Sequence, residues 1–257
     1  MQLDILTSGI WQTTSTLIAS RGACAVVDPA YFPREIDAIV ARAGELGRVE
    51  VVAFTHGHWD HVMGHTAFPQ ATVALSGVLA DAIAAGDGRA SRYLADARSF
   101  DSRWYVERPA GYRWPDRRLA LADGDTIELG GLALRALHLP GHSPDGLGLL
   151  VDDVLLVGDY LSPCEIPFID DAFEYRATLT RLVGLLADVR RVIPGHGRLL
   201  AAAEALAIAR ADLDYVDRLL DAKDAAAARA LPLPRAAEVV GMWEHHLENC
   251  AAVGRGG

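Results

Sequence analysis

Residues 55–61 read Thr-His-Gly-His-Trp-Asp-His, and four of these seven, His56, His58, Asp60 and His61, carry metal-ligating atoms. Imidazole nitrogen and carboxylate oxygen together suit zinc, iron or manganese better than calcium or magnesium, which prefer oxygen alone. Residues two apart on extended chain point to one side, so His56 and His58 can serve one position. Asp60 and His61, adjacent at the start of a turn or helix, diverge and can reach a second. One loop can thus feed two neighbouring metals. A lone histidine is more often packed or solvated. Four crowded together without a metal would have little to offset their desolvation.

Three more segments repeat one arrangement. Leu139-Pro140-Gly141-His142-Ser143, Leu156-Val157-Gly158-Asp159-Tyr160 and Ile193-Pro194-Gly195-His196-Gly197 each place a potential ligand just after an apolar run. Ligands of open α/β sheets gather at the carboxyl ends of strands, and an adjacent glycine lets backbone approach closely. Each segment alone is an ordinary turn. Together with the 55–61 loop they put seven potential ligands, His56, His58, Asp60, His61, His142, Asp159 and His196, at the ends of four strands. Asp28 ends another short apolar run, just before Pro29.

The elements that position these residues follow from pattern. Runs rich in β-branched residues and bounded by glycine or proline read as strands at 12–19, 24–27, 49–54, 71–75, 126–129, 132–139 and 191–193. Leu147–Val151 and Val154–Val157 flank Asp152-Asp153, a hairpin turn. Pro33 opens a helix that Gly44 and Gly47 end, and Ser76 caps a helix to about residue 85. Phe173–Leu186 is helical by pattern, as is the stretch through Leu206, Leu213, Val216 and Leu220. A last helix is expected over about Ala236–Cys250, with Val239, Val240, Trp243, Leu247 and Cys250 on one face. Residues 86–118 show no regular pattern. They hold Trp104, Tyr105, Tyr112 and Trp114, which could wall an apolar pocket, together with Trp11, or form a satellite cluster.

Composition narrows the function classes. The 257 residues are 51% hydrophobic and 23% charged, which permits a buried core and excludes a disordered chain. The formal net charge is −10, and Lys223 is the single lysine. A nucleic-acid binder would show a basic stripe, and none is present. Three cysteines without a Cys-x-x-Cys pair support neither a disulfide framework nor a zinc ribbon. No apolar run reaches the ~18–20 residues of a membrane span, and the first residues lack the pattern of a signal peptide. The expectation is a cytoplasmic protein with a small-molecule substrate, no nucleic acid and no membrane partner. A homo-oligomer through the last helices remains open.

The motifs HxHxDH (His56, His58, Asp60, His61), PGHS (His142), GD (Asp159) and PGHG (His196), in that order, resemble the metallo-β-lactamase-fold superfamily, in particular its glyoxalase II-like hydrolases. The resemblance spans about residues 20–200 in layout. It implies an α/β fold, an αββα four-layer sandwich, as a single domain over 1–257. In that domain, about 86–118 would be a substrate-covering insertion and about 204–257 a C-terminal helical extension. It implies two divalent metal ions, zinc first with iron or manganese as alternatives. His56, His58 and His142 would hold one metal. Asp60, His61 and His196 would hold the other, with Asp159 bridging and Asp28 supporting the metal loop.

The chemistry implied is hydrolysis of a small ester, thioester or lactone by a metal-bridging hydroxide, since paired metals lower the pKa of water and stabilise the developing anion. Asp60 would orient the nucleophile and take a proton, and Tyr160 would offer a phenol hydrogen bond to substrate or else pack. Two alternatives share the motif. One is a mononuclear iron enzyme similar to persulfide dioxygenases, the other a non-catalytic binding protein on the same fold. His246, on the last helix, would pack with Cys250 or approach the site, and Cys164 would be structural.

Overall fold

Apolar strands, the central ones at Thr14–Ser20 and Ala23–Val27 buried on both faces, set the architecture around the 55–61 loop. The computed structural model describes residues 1–235 and 239–253, and the chain divides into two compact units, Met1–His138 and Leu139–Gly257.

In the first unit a six-stranded sheet runs in sequence order: β1 (Gln2–Thr7), β2 (Thr14–Ser20), β3 (Ala23–Val27), β4 (Arg48–Ala53), β5 (Thr72–Ser76) and β6 (Arg118–Leu121). β1, β2 and β3 pair antiparallel, and β3 through β6 pair parallel. Parallel strands need a crossover. Helix α1 (Pro33–Leu46) supplies the first, with proline at its start, where no amide partner is lost. Its Ile39 and Ala43 are buried in the same cluster as Leu17, Val26 and Val52. The next crossover carries the short helix α2 (Trp59–Val62) and a 3-10 turn at Met63–Ala67. α3 (Gly77–Ala85) is capped by Ser76, whose Oγ accepts from the Leu79 amide at 3.2 Å. β7 (Thr126–Leu129) and β8 (Leu132–His138) form a hairpin.

Residues 86–118 correct the sequence reading, because they contain a seventeen-residue helix, α4 (Gly88–Trp104). Asp87 caps it, and Ala90, Tyr93, Ala97 and Asp101 face inward at helical spacing. Asp101 is buried and accepts from the Tyr31 hydroxyl at 2.6 Å, the Tyr112 hydroxyl at 2.7 Å and Arg108 Nε at 2.7 Å. The Arg108 guanidinium lies 4.5 Å from the centre of the Tyr31 ring. The expected aromatic wall divides. Tyr112 and Trp114 pack half-buried on the core, with Trp114 Nε1 bonded to the Ala90 carbonyl. Trp104 and Tyr105 stand out in solvent, 59% and 92% exposed.

The second unit has strands in the order β12-β11-β10-β9: β9 (Leu147–Val151), β10 (Val154–Leu156), β11 (Arg191–Ile193) and β12 (Leu200–Ala201). The β9–β10 turn places Asp152 at positive φ, as an Asp-Asp hairpin turn requires. α5 (Ala172–Leu185) joins β10 to its parallel neighbour β11. α6 (Ala202–Leu220), α7 (Ala225–Arg229) and α8 (Met242–Val253) follow. Part of the start expected for the last helix, 236–238, lies outside the described residues. The described helix begins only after Gly241, at φ 97°, so Val239 and Val240 precede it. Its buried face is Met242, His246, Asn249 and Cys250, while Trp243 and Leu247 are exposed. His246 packs between helices, with Nδ1 2.8 Å from the Tyr215 hydroxyl. No helix among the described residues is long and apolar enough to cross a membrane.

Two outcomes are expected. Asp101→Ala strands the buried Arg108 charge and two phenols, so it should cost about 3–5 kcal/mol of stability by denaturant titration. His65, in the 3-10 turn, has its pKa lowered by burial, with Arg113 pushing the same way. The unfolded state therefore takes up protons near pH 6.5 that the folded state resists, and stability falls as pH drops through that value. His65→Gln should flatten this part of the pH profile of the urea midpoint.

Candidate functional site

In the first unit, β4 ends at Ala53, and the loop that follows is held by a residue of the neighbouring strand. Asp28, at the end of β3, accepts from the Thr55 amide at 2.7 Å and from Thr55 Oγ1 at 2.6 Å. The same carboxylate lies 3.1 Å from His61 Nδ1. Asp28 sits at φ 51°, and its own carbonyl accepts from Ser15 Oγ at 2.6 Å. One buried carboxylate thus orients both ends of the loop and turns His61 Nε2 toward Asp60.

The four donors of this loop converge. His56 Nε2 is 2.9 Å from His58 Nδ1, and the His56 and His61 rings lie 4.3 Å apart. Asp60 Oδ2 lies 3.4 Å from His61 Nε2 and accepts from Thr13 Oγ1 at 3.2 Å. Asp28, His56, Asp60 and His61 are buried. α4 reaches the loop through Tyr93, whose ring stands edge-on to His58 at 5.1 Å. A Cβ on Gly57 would lie 2.6 Å from that ring, so glycine is what lets Tyr93 close over the loop.

In the second unit, two imidazoles meet on one carboxylate oxygen. His142 Nε2 and His196 Nε2 lie 3.1 Å and 3.3 Å from Asp159 Oδ2. Gly141 holds φ 120°, and a Cβ there would lie 2.2 Å from the Tyr175 amide nitrogen. His142 Nδ1 faces the Phe168 carbonyl at 3.1 Å, and His196 Nδ1 faces Glu165 Oε1 at 3.8 Å. His142 Nδ1 thus has an oxygen within hydrogen-bond distance, while the carboxylate facing His196 Nδ1 stands farther off than a hydrogen bond; in both rings Nε2 faces Asp159.

Of the two roles open to Tyr160, a phenol hydrogen bond to substrate or packing, its contacts here are those of packing. Its hydroxyl donates to the Pro140 carbonyl at 2.5 Å and accepts from the His142 amide at 3.0 Å. Burial pushes its pKa up, so it stays protonated and braces the loop that carries His142. Sequence reasoning also missed Glu165, Thr13, Thr55 and Tyr93. Only Glu165 carried a signal, an acidic residue inside the proline-flanked run Pro163–Pro167.

A family model described as the metallo-beta-lactamase superfamily matches residues 8–196. The chain belongs to this superfamily. Among its relatives, a hydroxyacylglutathione hydrolase of Acidiphilium cryptum is 31% identical over 172 residues, covering 66% of this chain and 58% of that protein. The acyl-coenzyme A thioesterase MBLAC2 of Bos taurus is 30% identical over 174 residues, covering 61% and 59%. The chain thus spans about six-tenths of the length of these relatives. A metallo-beta-lactamase family protein from Thermus thermophilus superposes with a TM-score of 0.70 at 23% identity, over 97% of this chain and 91% of that one. ETHE1 from Myxococcus xanthus superposes at 0.59 and 19% identity, over 98% and 100%. These matches show the metallo-β-lactamase fold, the α/β arrangement of two sheets and helices that the motifs imply.

The donors of this metallo-β-lactamase-superfamily chain fit a metal on their own chemistry. Each unit gathers imidazole nitrogens and carboxylate oxygens, with ligand atoms of His56 and His58, of Asp60 and His61, and of His142 and Asp159 within 4.8 Å of each other. This nitrogen and oxygen set suits divalent zinc, iron or manganese.

Tyr160→Phe tests the brace. It leaves the buried His142 amide without its acceptor, so the urea midpoint should drop by the equivalent of about 1–3 kcal/mol. Unchanged stability with reduced turnover would return Tyr160 to a role on substrate.

Proposed function

We propose that this chain is a dinuclear metallo-hydrolase that cleaves a small carboxylic ester, thioester or lactone. The observation that carries the reading is the donor set itself. Four converging donors lie on one loop of the first unit, and two imidazoles meet at Asp159 Oδ2 in the second, all at strand ends. In this reading His56, His58 and His142 hold one metal, Asp60, His61 and His196 hold the other, and Asp159 is shared between them. Metals bound there would supply Lewis acidity, lowering the pKa of water and countering negative charge on the attacked carbonyl oxygen.

The chain's own residues supply orientation and proton transfer. Asp28 and Glu165 fix the outer nitrogens of His61 and His196, and Phe168 does the same for His142 through its carbonyl. Thr13 Oγ1 pins Asp60 Oδ2, and the Asp60 carboxylate, held so, is the group that takes a proton from attacking water and passes it to the leaving group. Tyr93 covers His58 and limits the approach of bulk water from that side. The relative named as an acyl-coenzyme A thioesterase supports screening thioesters first.

Metal content of protein purified without added metal tests the reading. About two ions per chain, predominantly zinc, is the expected result. One iron per chain would redirect the assignment to oxygen chemistry, and no metal after reconstitution would overturn it. Asp159→Ala should release metal and abolish hydrolysis. A variant that keeps two ions and normal turnover would refute the shared ligand.

A further inference from the structure

In the second unit one short loop, Ser162–Ile169, stands behind both histidines. Phe168 presents its carbonyl to His142 Nδ1 at 3.1 Å, and Glu165 presents Oε1 to His196 Nδ1 at 3.8 Å. Both rings turn Nε2 to the same Asp159 oxygen, and the Glu165 carboxylate is the acid that faces the outer side of His196, within 4 Å though longer than a hydrogen bond. Glu165 is buried, 5% exposed, and burying a carboxylate is expensive unless a partner repays it.

The loop is shaped from within and tied from outside. Ser162 Oγ accepts from the Glu165 amide at 3.1 Å and the Cys164 amide at 3.3 Å, which turns the chain back on itself. From the C-terminal part, Arg235 Nε donates to the Ser162 carbonyl at 3.1 Å while its guanidinium pairs with the buried Asp212. The Val239 amide donates to the Cys164 carbonyl at 3.3 Å. Asn249 of α8 closes the far end, with Nδ2 donating to the Pro167 carbonyl at 2.7 Å and Oδ1 accepting from the Ile169 amide at 3.0 Å. An isolated loop of this kind would sample many conformations. Three anchors outside it hold it to one.

We infer that Glu165 is the positioning residue for His196, held in place by the C-terminal segment, and that it secures one of the two metals. The role matches that of Asp28 toward His61, reached from another element with no sequence similarity. A carboxylate on the outer nitrogen fixes the tautomer and ring angle and raises the basicity of the ligating nitrogen. The inference rests on the dinuclear reading above.

The test is a chelator-competition titration of zinc on wild type, Glu165→Ala and Glu165→Gln, with the thermal midpoint of each metal-free protein as a check of folding. Glu165→Ala should weaken one of two zinc ions by about 10- to 100-fold and leave the other near wild type. Glu165→Gln keeps an oxygen acceptor in place and should recover most of the loss. A folded Glu165→Ala protein that holds both ions as tightly as wild type overturns the inference and leaves the dinuclear reading intact. A wild type that binds no zinc overturns the dinuclear reading itself. Should Glu165→Ala fail to fold, the His196 Nδ1–H proton resonance of zinc-loaded Glu165→Gln decides. It should move upfield of wild type as a charged acceptor becomes neutral, and an unmoved resonance overturns the inference.

Discussion

Asp28 sits at the end of β3 with φ 51°, a conformation that costs a non-glycine residue on the order of 1–3 kcal/mol and persists only where neighbours hold it. Here they do. Ser15 grips its carbonyl, Thr55 donates twice to its carboxylate, and His61 Nδ1 faces the same group. The positive φ turns the carboxylate off the line of the strand and under the loop that follows β4. Without that turn nothing would tie Thr55 to His61, and the donors between them would lose their common orientation. Strain in one strand end thus gives order to a loop well separated from it along the chain.

The second unit solves the same problem with different means. The first unit uses a carboxylate at a strand end. The second uses a loop whose backbone carbonyl serves one histidine and whose buried acid serves the other. Both leave Nε2 facing an aspartate carboxylate, Asp60 in the first unit and Asp159 in the second. In each case the supporting oxygen comes from a different stretch of chain than the ligand, so the fold must close before either set of donors is aligned.

The seven candidate ligands and the fold class were legible because their signals are local. Histidine and aspartate at spacings of two and one, and glycine beside a ligand after an apolar run, seldom occur together without chemistry. What was illegible was long-range. α4 hid because its inward face is built on Ala90, Tyr93 and Ala97, small or lone residues among arginines and aspartates, so no apolar stripe stood out. The role of Tyr160 stayed open between substrate contact and packing because its position next to Asp159 says nothing of where its hydroxyl goes, and the partners at Pro140 and His142 are eighteen or more residues away. On the last helix Cys250 is buried as expected, but the inward face runs through Met242, His246 and Asn249 rather than Trp243 and Leu247, because the polar His246 and Asn249 find partners there that pattern does not reveal.

Asp101 has a wider reach than a buried ion pair needs. It lies seventy residues from Tyr31 in sequence and is bonded to its hydroxyl. The Tyr31 ring lies 4.6 Å from that of Trp59, the residue between His58 and Asp60, and Phe100 packs on both rings. α4 is therefore coupled to the 55–61 loop by a stack of rings, and substitutions in the two should not act independently. An exchange of α4 for the equivalent segment of a relative would carry its effect into that loop unless Tyr31 and Trp59 travelled with it, which makes these positions a single inherited unit scattered over three stretches of chain.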